Sequence, residues 1–219
     1  MLSIRRTFLR RYGGWRYAVA AGLGAFFVSS ALSRAGEFND VLSIGDQAPA
    51  WTKLPGVDGG QHSLDDLKDK QVVVVVFTCN SCPIAVDYED RIIAIAKEFA
   101  SADGKVALVA INVNRIKEDS LEKMKERAEK KGFPFPYLFD ESQQIARKYG
   151  ANFTPEFFVL DRDRKIVYMG GMDDNSNVDK VTVSYLKPAI EATLAGNKPA
   201  TAETVARGCR VRYARERRP

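Results

Sequence analysis

Histidine occurs once in 219 residues, at His62, and cysteine only three times, at Cys79, Cys82 and Cys209. A structural zinc site takes four ligands, usually from paired Cys-x-x-Cys or Cys/His motifs. This chain has a single Cys-x-x-Cys, and its histidine lies in a run of turn residues, where a solvent-facing position is expected. The sequence is therefore poor in metal ligands, and no cofactor is expected. The one metal reading the residues leave is a copper-handling chaperone using Cys79, Cys82 and Cys209. Internal repeats and low-complexity tracts are missing as well.

A basic middle is also lacking, although the formal net charge is +5. Residues 1–35 carry six arginines and no acid, and the last thirteen residues carry six more against Glu216 alone. Residues 36–206 hold 21 basic against 27 acidic side chains, a net of −6. That balance excludes a basic groove, so no nucleic-acid partner is expected. A hydrophobic fraction of 45% and a charged fraction of 28% belong to a globular chain, with length for one ordinary domain and extras.

The basic ends have local meanings. Arg5-Arg6-Thr7-Phe8-Leu9 has the twin-arginine pattern, and the stretch from Tyr17 to Leu32 is uncharged. Small-x-small exits follow at Ser29-Ser30-Ala31 and Ser33-Arg34-Ala35. Charged start, apolar middle and small-residue exit make residues 1–35 an export signal, which implies a periplasmic or other extracytoplasmic protein. Left uncleaved, the same stretch would be a marginal membrane anchor. The expected organisation is thus 1–35 signal, 40–198 folded domain, and 199–219 a basic tail carrying the third cysteine. The tail suits a solvated end or a membrane-surface contact.

Between the ends, strands and helices alternate. Val72 to Phe77 is a continuous β-branched run, the mark of a strand buried on both faces, and Val106 to Val113 is a second. Between them, Ile84, Tyr88, Ile92, Ile95 and Phe99 recur at helical spacing. Val57 to His62 has hairpin turn chemistry, and Ser63 to Leu67 reads as a short capped helix. A helix is expected over 120–131, capped by Ser120 and ended by Gly132, and another over 142–149. Glu156–Leu160 and Lys165–Met169 form a hairpin, and a last helix is expected over 179–194, interrupted near Pro188. The class is α/β, a central sheet with helices on both faces.

Phe77-Thr78-Cys79-Asn80-Ser81-Cys82-Pro83 therefore joins a buried strand to a helix. In that setting the first thiol lies near unsatisfied backbone N–H groups and the positive end of the helix dipole, which favours the thiolate. Cys79 is then the nucleophile and Cys82 the resolving thiol of a dithiol/disulfide pair. Pro83 suits an early helical position, where its missing N–H costs little. Far along the chain, Thr154-Pro155 immediately precedes a strand. A cis bond there would hold a tight turn against the dithiol and offer the Thr154 backbone to an extended partner chain.

With these residues in view, the chain resembles the thioredoxin-fold redoxins of the alkyl hydroperoxide reductase/thiol-specific antioxidant (AhpC/TSA) family, in the peroxiredoxin-like branch that keeps a Cys-x-x-Cys. The resemblance rests on residues 77–83, Tyr88-Glu89-Asp90-Arg91, Ala110-Ile111-Asn112-Val113-Asn114, Gly132 to Tyr137, Thr154-Pro155, Gly171-Met172-Asp173-Asp174-Asn175 and Gly208 to Arg212. It implies a thioredoxin fold with an N-terminal β extension and redox work at Cys79. In the peroxide-reducing members a Thr or Ser usually stands three positions before the reactive cysteine; here that position is Val76. Disulfide exchange with protein dithiols is accordingly the first expectation, with an external electron donor. Peroxide reduction at Cys79 is the second. Glu156 and Glu89 are candidates for proton transfer, with a solvated charge the plainer expectation for each. Cys209, set among Arg207, Arg210 and Arg212, is a candidate resolving thiol with good access.

Overall fold

Five valines and a phenylalanine, Val72–Phe77, form a strand with every residue fully buried. Val73, Val75 and Phe77 face one apolar layer, while Val72, Val74 and Val76 face the other. Burying each valine contributes about 1.5 kcal/mol or more, so this strand is a main source of the fold's stability. The computed structural model describes residues 36–100 and 104–215; the expected export segment, residues 1–35, lies outside them.

In chain order, a small antiparallel hairpin of β1 (Leu54–Pro55) and β2 (Gln61–His62) leads to the central strand β3 (Val72–Phe77). Helix α1 (Pro83–Ala100), β4 (Val106–Asn112), α2 (Leu121–Lys131), β5 (Tyr137–Phe139) and α3 (Gln144–Tyr149) follow. Then come β6 (Phe153–Thr154), β7 (Glu156–Leu160), β8 (Ile166–Gly170), α4 (Leu186–Leu194) and β9 (Cys209–Arg210). The main sheet has the order β5-β4-β3-β7-β8, with β3, β4 and β5 parallel and β7 and β8 antiparallel. Side chains of α1, α2 and α4 pack on one face; those of α3, with Trp51 and Leu42, pack on the other. The β1–β2 hairpin joins the sheet beside β5, where Val57 N–H donates to the Tyr137 carbonyl. This is the thioredoxin fold with an N-terminal β extension.

Local chemistry explains most boundaries. Ser120 accepts from the Lys123 N–H at the start of α2, and Gly132 ends it in the left-handed conformation. The last helix departs from expectation. Residues 178–180 form a separate 3-10 turn and α4 begins at Leu186, so Pro188 stands in its first turn. The first-turn N–H groups have no intrahelical acceptor, so proline fits there without interrupting the helix.

The largest departure is the tail. Among the described residues it is no solvated end. Strand β9 pairs antiparallel with β6, setting Cys209 opposite Thr154 and Arg210 opposite Phe153. Val211 enters the core, the Arg212 N–H donates to Asn114 Oδ1, and the Tyr213 hydroxyl donates to the Ala151 carbonyl. Gln143 ties the segment further, donating to the carbonyls of Val113 and Arg212 and accepting from the Ala214 N–H. Among the described residues no helix is long and apolar enough to cross a membrane.

Candidate active site

Strand β3 delivers the chain straight into the Cys79–Cys82 loop. The Thr78 N–H still donates to the Ile111 carbonyl, so the sheet holds the loop up to the residue before Cys79. Cys79 is 3% and Cys82 2% exposed; both pack with Ala85, and Ile84 and Cys209 close the cluster. All three sulfurs therefore belong to one small cluster.

The bond within that group differs from expectation. Cys82 is disulfide-bonded to Cys209, with the Cα atoms 5.8 Å apart, and Cys79 is a free, buried thiol. The expected partnership of Cys79 with Cys82 is thus not the one present, and Cys209 lacks the expected access. The reason is the tail strand, whose pairing with β6 carries Cys209 into the cluster. That pairing is close. A Cβ on Gly208 would lie 2.0 Å from the Thr154 carbonyl oxygen, so glycine is required where the tail crosses.

Thr154 stands at the centre. Its peptide bond to Pro155 is cis. Its Oγ1 lies 3.5 Å from Cys79 Sγ and 3.4 Å from the Cys209 carbonyl, and its own carbonyl lies 3.2 Å from Cys82 Sγ. The backbone edge expected to receive a partner chain is therefore occupied by this chain's own residues 209–210. The Thr154 hydroxyl reaches Cys79 from another strand, although Val76 fills the position three before it.

A buried acid that sequence reasoning passed over holds the loop. Asp119 Oδ1 accepts from the N–H groups of Asn80 (2.8 Å) and Ser81 (3.0 Å). Its Oδ2 accepts from Ser81 Oγ (2.6 Å) and Asn114 Nδ2 (3.1 Å). Asp119 is fully buried, and its carbonyl accepts from Asn112 Nδ2, so β4 and the cysteine loop are bonded through one residue. Tyr137 adds a hydroxyl donated to Asn80 Oδ1, and burial pushes that phenol well above its usual range. Asn112 and Asn114, polar residues at the end of a buried strand, were the available signal.

Neither acidic candidate is solvated. Glu89 is buried, with Arg127 donating to both oxygens at 2.8 and 2.7 Å, and it lines a narrow recess with Cys79, Phe133 and Tyr137. Glu156 is buried too, and its Oε2 accepts from the N–H groups of Asn152 and Phe153. Burial raises that carboxyl to about 7, against the two N–H groups that oppose it. These partners are the backbone of β6 and the residue before it, not a sulfur. His62 pairs with Asp58 at 3.0 Å, and this contact is the main reason the Asp58 carboxyl lies below its usual range. Among the described residues no group of three or more His, Cys, Asp and Glu is placed to hold a metal. A groove between Ile44, Asp161, Lys165 and Leu194 is lined by no cysteine.

Two separated sequence motifs also meet. Asp173 accepts from the Tyr88 hydroxyl (2.8 Å) and from Arg91, which also donates to the Asn175 and Ser176 carbonyls. The 171–175 loop is thereby fixed to α1.

Comparison with known proteins agrees with this fold. A model described as the AhpC/TSA family matches residues 44–169. An uncharacterized conserved protein of Geobacillus kaustophilus, known from its crystal structure, is 34% identical with a TM-score of 0.75, covering 82% of this chain and 96% of its own. The thiol-disulfide oxidoreductase ResA of Geobacillus thermodenitrificans is 27% identical over 127 residues, 57% of this chain and 67% of its own. The peroxiredoxin Bcp of Escherichia coli K12 is 26% identical over 162 residues, 67% of this chain and 96% of its own.

Proposed function

The chain belongs to the AhpC/TSA family, and from that premise we propose that it is an exported thiol–disulfide oxidoreductase in which Cys79 is the attacking thiol and Cys82 the resolving one. At the coarser level it is a redoxin, like its relatives named thiol-disulfide oxidoreductase and peroxiredoxin. The observation that carries the finer reading is a free Cys79 packed against a Cys82 already in a disulfide, beside the cis Thr154–Pro155 bond. A thiolate at Cys79 has a sulfur to attack without any outside group entering the site. Electrons pass from an external dithiol donor through the cysteine pair to a protein disulfide, which is reduced to its dithiol. Export is supported by Arg5-Arg6 and the uncharged stretch 17–32.

A second reading, thiol peroxidase, is favoured by one contact. The Thr154 hydroxyl 3.5 Å from Cys79 Sγ supplies an oxygen near the thiol of the kind peroxide reduction uses. In that chemistry peroxide oxidises Cys79 to the sulfenic acid and releases water, and Cys82 or Cys209 in its thiol form condenses with it, releasing a second water.

The test times thiol loss of the reduced protein against hydrogen peroxide and, separately, against a protein disulfide, for the parent and for Cys79→Ser, Cys82→Ser and Cys209→Ser. Fast disulfide exchange with sluggish peroxide chemistry, both lost in Cys79→Ser, is the expected result. Peroxide consumption orders of magnitude above that of a free thiol would replace the first reading with the second.

A further inference from the structure

The tail crosses the active site as a short strap. Ala206 and Val211 are buried at its two ends, while Arg207 and Arg210 between them are exposed and Gly208 and Cys209 half-buried. The strap is held to the site by the disulfide to Cys82 and by the two-residue ladder to Phe153–Thr154. It fills the backbone edge beside the cis-proline and is bonded to the sulfur that Cys79 would attack. This is the position an extended, cysteine-bearing partner chain would take.

We propose that residues 207–210 are a plug released by disulfide exchange, and that the protein exchanges between two oxidised isomers, one closed and one open. The closed isomer is the one described, with Cys82 bonded to Cys209 and Cys79 free. Cys79 loses its proton to solvent, and its thiolate attacks Cys82 Sγ. The Cys79–Cys82 bond forms, the Cys82–Cys209 bond breaks, and Cys209 leaves as a thiolate that takes up a proton. One disulfide is present before and after, so no outside oxidant or reductant is consumed. In the open isomer the strap has lost its covalent tie, and the Phe153–Thr154 edge becomes available to a partner's extended segment. The proposal rests on the exchange chemistry proposed above, which it supplies with a gate.

Gly208 makes the idea testable without touching a cysteine. With a Cβ placed 2.0 Å from the Thr154 oxygen, Gly208→Val disfavours the closed strap while leaving the loop and all three thiols in place. The full chain would be oxidised, quenched in acid, alkylated with N-ethylmaleimide and digested for disulfide mapping. Backbone hydrogen exchange over 207–211 would be followed in parallel. The parent is expected to contain both isomers, Cys79→Ser only Cys82–Cys209 with a protected strap, and Cys209→Ser only Cys79–Cys82 with strap exchange at least tenfold faster. Gly208→Val should shift the isomer ratio toward Cys79–Cys82 by tenfold or more.

Finding only Cys82–Cys209 in the oxidised parent and in Gly208→Val would overturn the proposal. So would equal strap protection in Cys79→Ser and Cys209→Ser. The mapping needs no partner, so it separates the two ideas. Turnover with a protein disulfide but no Cys79–Cys82 isomer sinks the plug alone. The expected mapping without turnover sinks the oxidoreductase reading alone.

Discussion

The Asn80-Ser81 loop and the 207–210 strap touch the same sulfur cluster from two sides, and they are held in opposite ways. The loop hangs from a fully buried carboxylate through three hydrogen bonds, with Tyr137 adding a fourth to Asn80. The strap has two ladder residues, exposed arginines and one covalent bond that thiols can reverse. Hydrogen bonds to a buried charge are worth roughly 1.5–3 kcal/mol each, while a disulfide vanishes on exchange. One side is built to stay and the other to be released. The exchange proposed for Cys79 uses both.

The comparison breaks most completely at Cys79. Cys79→Ser removes the only free thiol in the cluster, and exchange with a protein disulfide should fall by at least about 10³-fold. The fold should persist, because serine is smaller and the Cys82–Cys209 bond is untouched. Stopped-flow thiol kinetics with circular dichroism on the same sample checks both halves. Next in size is the anchor. Asp119→Ala leaves the Asn80 and Ser81 N–H groups and the Asn114 amide without their acceptor, and should cost about 4 kcal/mol. Asp119→Asn keeps one good acceptor and should cost about half as much. Urea unfolding curves give both numbers, and equal losses in the two variants would deny the charge any role.

What the sequence reveals of this site divides along the same line. The strand, the Cys-x-x-Cys and the helix after it are neighbours in the chain, and a β-branched run ending at Cys79 announces them locally. The proline before β7 is equally local. Asp119 acts on Ser81 across 38 positions, and nothing in Lys117-Glu118-Asp119 marks it off from a surface turn. The tail reads as a charged end because six arginines crowd it. Yet Val211 and Tyr213 alternate with Arg210, Arg212 and Ala214, a short strand-like pattern that the charge obscured. Pairing across 55 positions, from Thr154 to Cys209, is a property of the closed fold and has no local signature. The extra length given to the last helix has the same origin, since Pro188 looks like an interruption until the helix start is known.

Glu156 sharpens the contrast, because it supports the strand against which the strap lies. Its carboxyl titrates near 4.5 when unfolded and near 7 when folded. The folded state thus binds the extra proton between those values, and its stabilisation is complete below about 4.5 and lost as pH rises through 7. The loss amounts to about 3 kcal/mol. Glu156→Gln stays neutral while keeping an acceptor for Asn152 and Phe153. Thermal unfolding from pH 5 to 8 should therefore fall for the parent and stay nearly flat for the variant. Parallel curves would place the titration elsewhere.

The smallest effect is the one most specific to the strap. Arg210 holds its guanidinium 5.4 Å from the Phe153 ring and is itself exposed. A contact of that kind at an exposed site contributes about 0.5–1 kcal/mol. Arg210→Ala should leave global unfolding nearly unchanged, since Val211 and the Gln143 bonds still fix the chain beyond. Within the strap the same energy is a larger share of what holds it. Hydrogen exchange at Cys209–Val211 should accelerate about two- to fivefold in the disulfide-bonded protein while the Asn80–Ser81 amides are unaffected. Acceleration at both sides would mean that loop and strap open together, and the division between a fixed and a releasable side would fall.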